Sequence, residues 1–389
     1  MAAMEKNNKN LNVPNLRFPE FSGEWDNVSL GDISDITKLA GFEFTQYVQY
    51  EDSGNIIALR GLNCKNGSLD LTDVKYIDNS ILEKLTRSKL YVGDILFTYV
   101  GTVGEVAIIE ENDRFYLAPN VSRIRVEQGY NPYFIKQLIH TKRFYNKIIF
   151  PLIATSSQPA LSMENVRKFS LSIPQESEQG KLAEFLNILD QRISTQKKII
   201  EDLKKLKDAI RTKLFTSLES HCNEYDEIRN MLHYEQPSAY LVNSTEYSED
   251  YPTPVLTANK AFILGYTDEE QGVYDKGDCI IFDDFTMDLK YVTFPFKVKS
   301  SAIKILTPRQ NIDLYFIYEY LLYLGLVSEE HRRHYISEIE SMNIIHPQLK
   351  EQRQISQALR SLEMQVGNAI ALQNLLVKQK QHFLSRMFI

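Results

Sequence analysis

Cysteine, histidine and unbroken apolar sequence are all in short supply in this 389-residue chain. Its three cysteines, Cys64, Cys222 and Cys279, are too few and too scattered for a disulfide framework or a zinc site, and they suit a reducing cytosol. The seven histidines give no ligand-spaced pair beyond His331 and His334, which read as surface residues, so no metal site is expected. The longest apolar stretch, Leu314 to Val327, is too short to span a bilayer and contains Glu319. Residues 1–12 are polar, lack an apolar signal core and read as a flexible tail. These absences point to a soluble cytoplasmic protein.

Acidic residues are also missing where they matter. No Asp or Glu occurs from Met364 to the end, and residues 197–213 hold seven bases against three acids. The net charge of −7 nevertheless argues mildly against a nucleic-acid partner. The acidity is concentrated in residues 222–346, which carry 10 Lys/Arg against 21 Asp/Glu.

What the sequence does have is an internal repeat, which sets the architecture before any motif does. A Pro-Gln opening and a long helical pattern begin at Pro174 and again at Pro347. They close at Phe215 and Phe388, so both ends are offset by 173 residues. Proline suits a first helical turn, and Glu178 or Glu351 favours the positive end of the helix dipole. The first copy places Leu182, Leu186, Leu189, Ile193, Ile200, Leu203, Ile210 and Leu214 on one seam, with Gln196 and Lys207 in its gaps. The second places Ile355, Leu359, Leu362, Val366, Ala369, Leu376, Phe383 and Met387 likewise, with Gln373 and Lys380. Steps of three and four make a period of 3.5, the mark of a coiled coil. Antiparallel pairing about the seam midpoint sets Gln196 opposite Gln373, a polar pair that fixes register. A second stripe on the first helix, Phe185, Ile188, Ile199 and Leu206, is a candidate docking face for a partner protein.

The blocks before the helices read as α+β domains of one plan. Short β-branched and aromatic runs end in turns, with Gly101-Thr102 turning a hairpin, and Gly277-Asp278-Cys279-Ile280-Ile281-Phe282 matches Gly93-Asp94-Ile95-Leu96-Phe97. The expected organisation is a tail (1–12), a first globular domain (13–173), a helix (174–217), a second domain (218–346) and a second helix (347–389).

The order and duplication of these features resemble the DNA-specificity subunit of type I restriction–modification systems, over nearly the whole chain. The residues that carry the resemblance are Leu16-Arg17-Phe18-Pro19-Glu20-Phe21 with Trp25, then Val92-Gly93-Asp94-Ile95-Leu96-Phe97, Ser157-Gln158-Pro159-Ala160-Leu161-Ser162 and the Pro-Gln helix starts. The resemblance implies two target-recognition domains, each reading half of a split double-stranded DNA target, with the paired helices setting the spacing. It also implies two methyltransferase subunits docked on the helices, motor-nuclease subunits joining for cleavage, and S-adenosylmethionine, ATP and Mg held by those partners. The second half lacks a counterpart of Ser157–Ser162.

Base reading needs polar side chains on loops, with Lys or Arg placing the phosphates. The candidates are Lys38, Arg60, Thr98, Tyr99, Thr102, Ser157 and Gln158 in the first domain, and Thr257, Lys260, Thr286, Lys290, Arg332 and Arg333 in the second. Independent catalysis is not expected. Asn131-Pro132-Tyr133-Phe134 lacks the second proline of an amino-methyltransferase motif, Asp288-Leu289-Lys290 lacks the upstream half of a nuclease site, and no Walker loop occurs. The alternatives are a protein-interaction scaffold that binds no DNA, and a detached specificity region of a bifunctional restriction enzyme.

Overall fold

The computed structural model describes residues 12–154, 158–257, 262–328 and 333–389. Most of the expected tail, 1–11, lies outside them, whereas Asn12 is already tied in: its carbonyl accepts the Trp25 N–H at 2.8 Å. The described chain packs as two compact units, one up to Gln196 together with Leu372–Ile389, the other Lys197–Ala371. Each long helix is thus divided between the two units.

In the first unit the central sheet consists of β1 (Ser34–Lys38), β2 (Ile95–Thr98), β3 (Val106–Ile108) and β4 (Val121–Val126), in the order β1-β4-β2-β3. All its neighbours are antiparallel. Helix α1 (Pro132–Ile139) starts where Asn131 accepts the N–H groups of Tyr133 and Phe134, with proline in the first turn. The motif-like Asn131–Phe134 run is therefore a helix cap, and Phe134 is fully buried. The long helix α2 runs Glu176–His221.

The second unit repeats this plan. Strands β5 (Leu232–Glu235), β6 (Cys279–Asp283), β7 (Leu289–Val292) and β8 (Ile303–Pro308) form a sheet in the same order, β5-β8-β6-β7. Helix α3 (Leu314–Leu324) starts at Asp313 and stops on Gly325, which takes the left-handed φ of +61° that ends a helix. The long helix α4 runs Leu349–Met387. In both units a strand before the sheet pairs with the strand that feeds the long helix: Asp26–Ser29 with Ser170–Ile173, and Tyr225–Glu227 with Asn343–Ile345.

Strand pairing refines the sequence match. Ile95 lies opposite Ile124, and Ile280 opposite Leu306; Phe97 therefore corresponds to Phe282, and Cys279 is an extra residue after the shared Gly-Asp. Gly93 and Gly277 are equivalent turns, at φ +89° and +95°.

Both helices bury their seams as periodicity predicts, and their pairing is antiparallel. In the first unit the start of α2 meets the end of α4: the Phe185 and Phe383 rings are 4.9 Å apart, and Lys380 Nζ is 2.5 Å from an Asp190 oxygen. In the second unit the end of α2 meets the start of α4, with Lys207 2.5 Å from Glu363 and His221 3.1 Å from Glu351. The repeated phenylalanines close the cores. Phe388 stacks on Phe134 (5.4 Å) beside Trp25, and Phe215 packs on Phe316 and Tyr320 at 5.6 and 5.1 Å. Among the described residues, no helix is long and apolar enough to cross a membrane.

Candidate nucleic-acid interface

The first unit gathers three of the predicted residues around one cleft of 380 Å³: Arg60, Thr102 and Gln158, together with Tyr50 and Asn120. Arg60 follows the strand Ile57–Leu59, where its N–H is held at 2.9 Å by the side chain of fully buried Asn63. Its guanidinium bonds both the carboxylate and the carbonyl of Asp73, at 2.7 and 3.0 Å, which fixes the fork at the cleft. Thr102 sits in the β2–β3 turn. Gln158 arrives because the chain after it is strapped to that turn: the Gly101 N–H donates to Pro159 O at 2.9 Å, and the Leu161 N–H to Tyr99 O at 2.8 Å. An arginine fork, a hydroxyl and an amide around a concave surface match the side chains that read base edges.

Two candidates are corrected. Thr98 is completely buried; its hydroxyl donates to Thr102 O and accepts the Glu105 N–H at 2.9 Å, so it builds the turn from inside. Tyr99 is 9% exposed and carries Lys38 Nζ 5.2 Å above its ring, which makes it a support for the exposed Lys38. Burial raises its hydroxyl pKa. Ser157 lies outside the described residues.

In the second unit Thr286 and Lys290 share the β6–β7 hairpin and are exposed. Asp283 shapes that turn by accepting the Phe285 and Thr286 N–H groups at 2.7 and 3.0 Å. Thr257 is half-buried on another segment and Arg333 is exposed; Lys260, Arg332 and His331 lie outside the described residues. His334 is not a surface residue as expected. It is 3% exposed, with its N–H on the Asp284 carboxylate at 3.0 Å and its ring 3.0 Å from Glu338.

The acidity of this unit is partly internal. Asp284 meets Lys304 at 3.2 Å, both 2% exposed, and Glu319 meets Lys207 and Arg211 at 2.8 and 2.7 Å while wholly buried. Burial works to raise the Glu319 pKa, but the Lys207, Tyr315 and Arg211 contacts outweigh it and hold the carboxyl below its ordinary value. Among the described residues no group of three or more His, Cys, Asp or Glu side chains could hold a metal ion.

Of the partner-docking stripe, Phe185 is turned inward onto Phe383 and Phe18. Ile188 in the first unit remains 50% exposed, and Ile199 and Leu206 in the second 43% and 48%. At the predicted register point Gln196 is buried, and it borders a cleft with Leu372 and Leu376, the neighbours of half-buried Gln373 on α4.

One feature escaped the sequence reading. The alternating Arg123 and Arg125 of β4 meet Arg87 and Arg167 in a second cleft of the first unit. The signal was there: arginines two apart on a strand share a face.

Residues 22–205 match the family model described as the type I restriction modification DNA specificity domain. A 117-residue stretch, 28% of the chain, is 45% identical to the specificity subunit of the Escherichia coli type I restriction enzyme EcoR124I/EcoR124II; it spans 29% of that relative. Over 345 residues, 77% of the chain and 78% of the relative, it is 24% identical to the putative type I restriction enzyme MjaX specificity subunit of Methanocaldococcus jannaschii. The fold is similar to that of a type I restriction–modification S subunit from M. genitalium (TM-score 0.66, 14% identity, 97% of this chain and 99% of that one). It is also similar to a chain from a study of type I complex assembly and conformational transition (TM-score 0.54, 17% identity, 94% and 97%).

Proposed function

We propose, on the premise that the chain belongs to the type I restriction–modification specificity-subunit family, that it supplies sequence reading to such a complex and carries no catalysis of its own. Each unit reads one half of a bipartite duplex target. The first does so through the Arg60–Thr102–Gln158 cleft, and the second through the Thr286–Lys290 hairpin with Arg333. The antiparallel helices set the spacing, and their exposed stripe (Ile188, Ile199, Leu206) docks methyltransferase subunits. S-adenosylmethionine, ATP and Mg belong to partner subunits, where methylation and cleavage occur, and the complex works in the cytoplasm.

The observation that carries this reading is the duplication itself: two units with the same sheet order and the same helix entry, but different loops at the sheet ends. A shared scaffold with divergent loops is how one fold presents two different reading surfaces. Methylome sequencing of cells with and without this chain tests it. A bipartite motif that disappears with the chain supports the reading, and a change in only one half when the first unit's cleft is altered assigns that half. An unchanged methylome sinks it.

A further inference from the structure

We propose that the arginine cleft of the first unit seats a phosphate of the DNA backbone, next to the base-reading cleft; this rests on the function just proposed. The cleft has a volume of 430 Å³ and is lined by Arg87, Arg123, Arg125, Arg167, Asp35 and Thr37, with Ile36 and Thr86. Strand alternation builds it. Ile124 points into the helix-side core, so Arg123 and Arg125 take the opposite face, opposite Thr37 and Asp35 on β1. Arg87 comes from the turn Thr86–Ser88 and donates to Thr37 Oγ1 at 3.1 Å; Arg167 ends the helix Met163–Arg167 and donates to Ile36 O at 2.9 Å.

The charge balance favours an anion. Arg125 is neutralised by a two-pronged bond to Asp94, 2.7 Å on each prong, and Arg123 pairs with Asp35. Arg87 and Arg167 meet only neutral oxygens in these contacts and are exposed. Arg123 is 4% exposed, and its Nε has no hydrogen-bond partner among the described residues. A buried guanidinium beside other guanidinium groups is costly, and an oxyanion with several acceptor lone pairs relieves it.

The scaffold does not require these arginines. In the second unit strand register puts Ile305 where Arg123 stands and Thr307 where Arg125 stands, facing Glu235 and His233 in place of Thr37 and Asp35. The same sheet closes there with an isoleucine and a threonine at the two arginine positions. Position along β4 gives the duplex as the source of the phosphate. Asn120 borders the base-reading cleft, and Arg123 and Arg125 follow three and five residues later, about 10 and 17 Å along an extended strand. That span corresponds to about three to five base-pair steps of duplex. The residue just before β4 thus borders the base-reading cleft, and β4 itself carries two of the anchoring arginines.

The test uses the full chain assembled with its methyltransferase subunits, binding duplexes with and without the methylated motif over a salt series. The exposed pair Arg87→Gln/Arg167→Gln is expected to weaken both duplexes about equally. It should also lower the slope of log affinity against log salt by about 1–2, leaving the preference for the motif intact. Asp35→Asn, which removes the only carboxylate among the described residues lining the cleft, is expected to tighten both; this arm holds even if the double variant folds poorly. Slopes unchanged in both variants, with wild-type binding normal, overturn the inference alone. No preference for the motif in the wild type overturns the function beneath it. Thermal stabilisation of the chain by inorganic phosphate or a mononucleotide, with the DNA slopes unmoved, assigns the cleft to a free anion and also overturns the proposal.

Discussion

Gln179 Oε1 accepts the backbone N–H of Asn131 at 2.9 Å while its amide nitrogen donates to Pro174 O at 2.9 Å. One glutamine thereby joins the start of α2 to the cap of α1. Gln352, its repeat partner, does the same, accepting from Asp313 N at 2.9 Å and donating to Pro347 O at 2.8 Å. Both glutamines are almost fully buried. The repeated Pro-Gln-x-x-x-Gln start is thus a clamp that sets the long helix against the short helix of its own block. Replacing Gln179 by Ala leaves a buried N–H and a buried carbonyl unsatisfied. A loss of about 1–3 kcal/mol in denaturant unfolding is expected, with the same for Gln352→Ala. Unfolding curves that overlay the wild type would show that the clamp adds nothing.

Glu319 is the buried hub of the second unit, and Lys207 and Arg211 converge on it from α2. Glu319→Gln sets a neutral amide against Lys207 and Arg211, which keep only their more exposed partners Glu363 and Asp208. Breaking a buried pair from one side costs about 3–5 kcal/mol. Urea midpoints measure this, and adding Lys207→Met is expected to recover part of the loss.

His140 titrates well below its ordinary value, at about 4, first because of burial and then because Lys380 and Lys136 are near. The unfolded chain takes up this proton near pH 6.5, and the folded chain resists it down to about 4. The histidine's contribution is therefore complete above pH 6.5 and is lost as pH falls toward 4. Thermal melts between pH 7 and 4 should fall less steeply for His140→Gln than for the wild type; identical slopes contradict the assignment.

Burial, with Glu105 adding to it, pushes the Cys64 thiol up to about 12, and burial likewise raises Cys279 to about 12. Both are nearly inaccessible, whereas Cys222 is half-buried. Thiolates, not thiols, react with alkylating agents. Mass spectrometry of the native chain after brief alkylation is expected to find the label on Cys222, with Cys64 and Cys279 labelled only in denaturant.

Ile199 and Leu206 stand exposed on α2 away from the seam. Replacing both by Asp changes no buried contact, so the melting temperature should stay within a degree or two. Co-purification of methyltransferase subunits is expected to fall sharply. Full assembly by the variant would remove this stripe from the docking surface.

Much of the architecture is determined by the sequence alone, because periodicity is a local property. The 3.5-residue seam predicted the burial of Leu182, Leu186, Leu359 and Val366, and the 173-residue offset predicted that Phe215 and Phe388 play matching parts. Helix starts were legible because a cap is written within a few residues, although only Pro132 opens its helix in the first turn, whereas Pro174 and Pro347 stand two residues ahead of α2 and α4. What the sequence left open depended on distant partners. Thr98 and Thr102 look alike in sequence, yet pairing holds Thr98 in β2 opposite Val121 of β4, with its hydroxyl on the Glu105 N–H, while Thr102 sits in the turn. His334 looked like surface until Asp284, fifty residues earlier, captured its N–H. The arginine cleft needed four segments to converge: β1, β4, the turn at Arg87 and the helix at Arg167. Local chemistry fixes which face a side chain takes, whereas strand register and packing across the chain decide what that face meets.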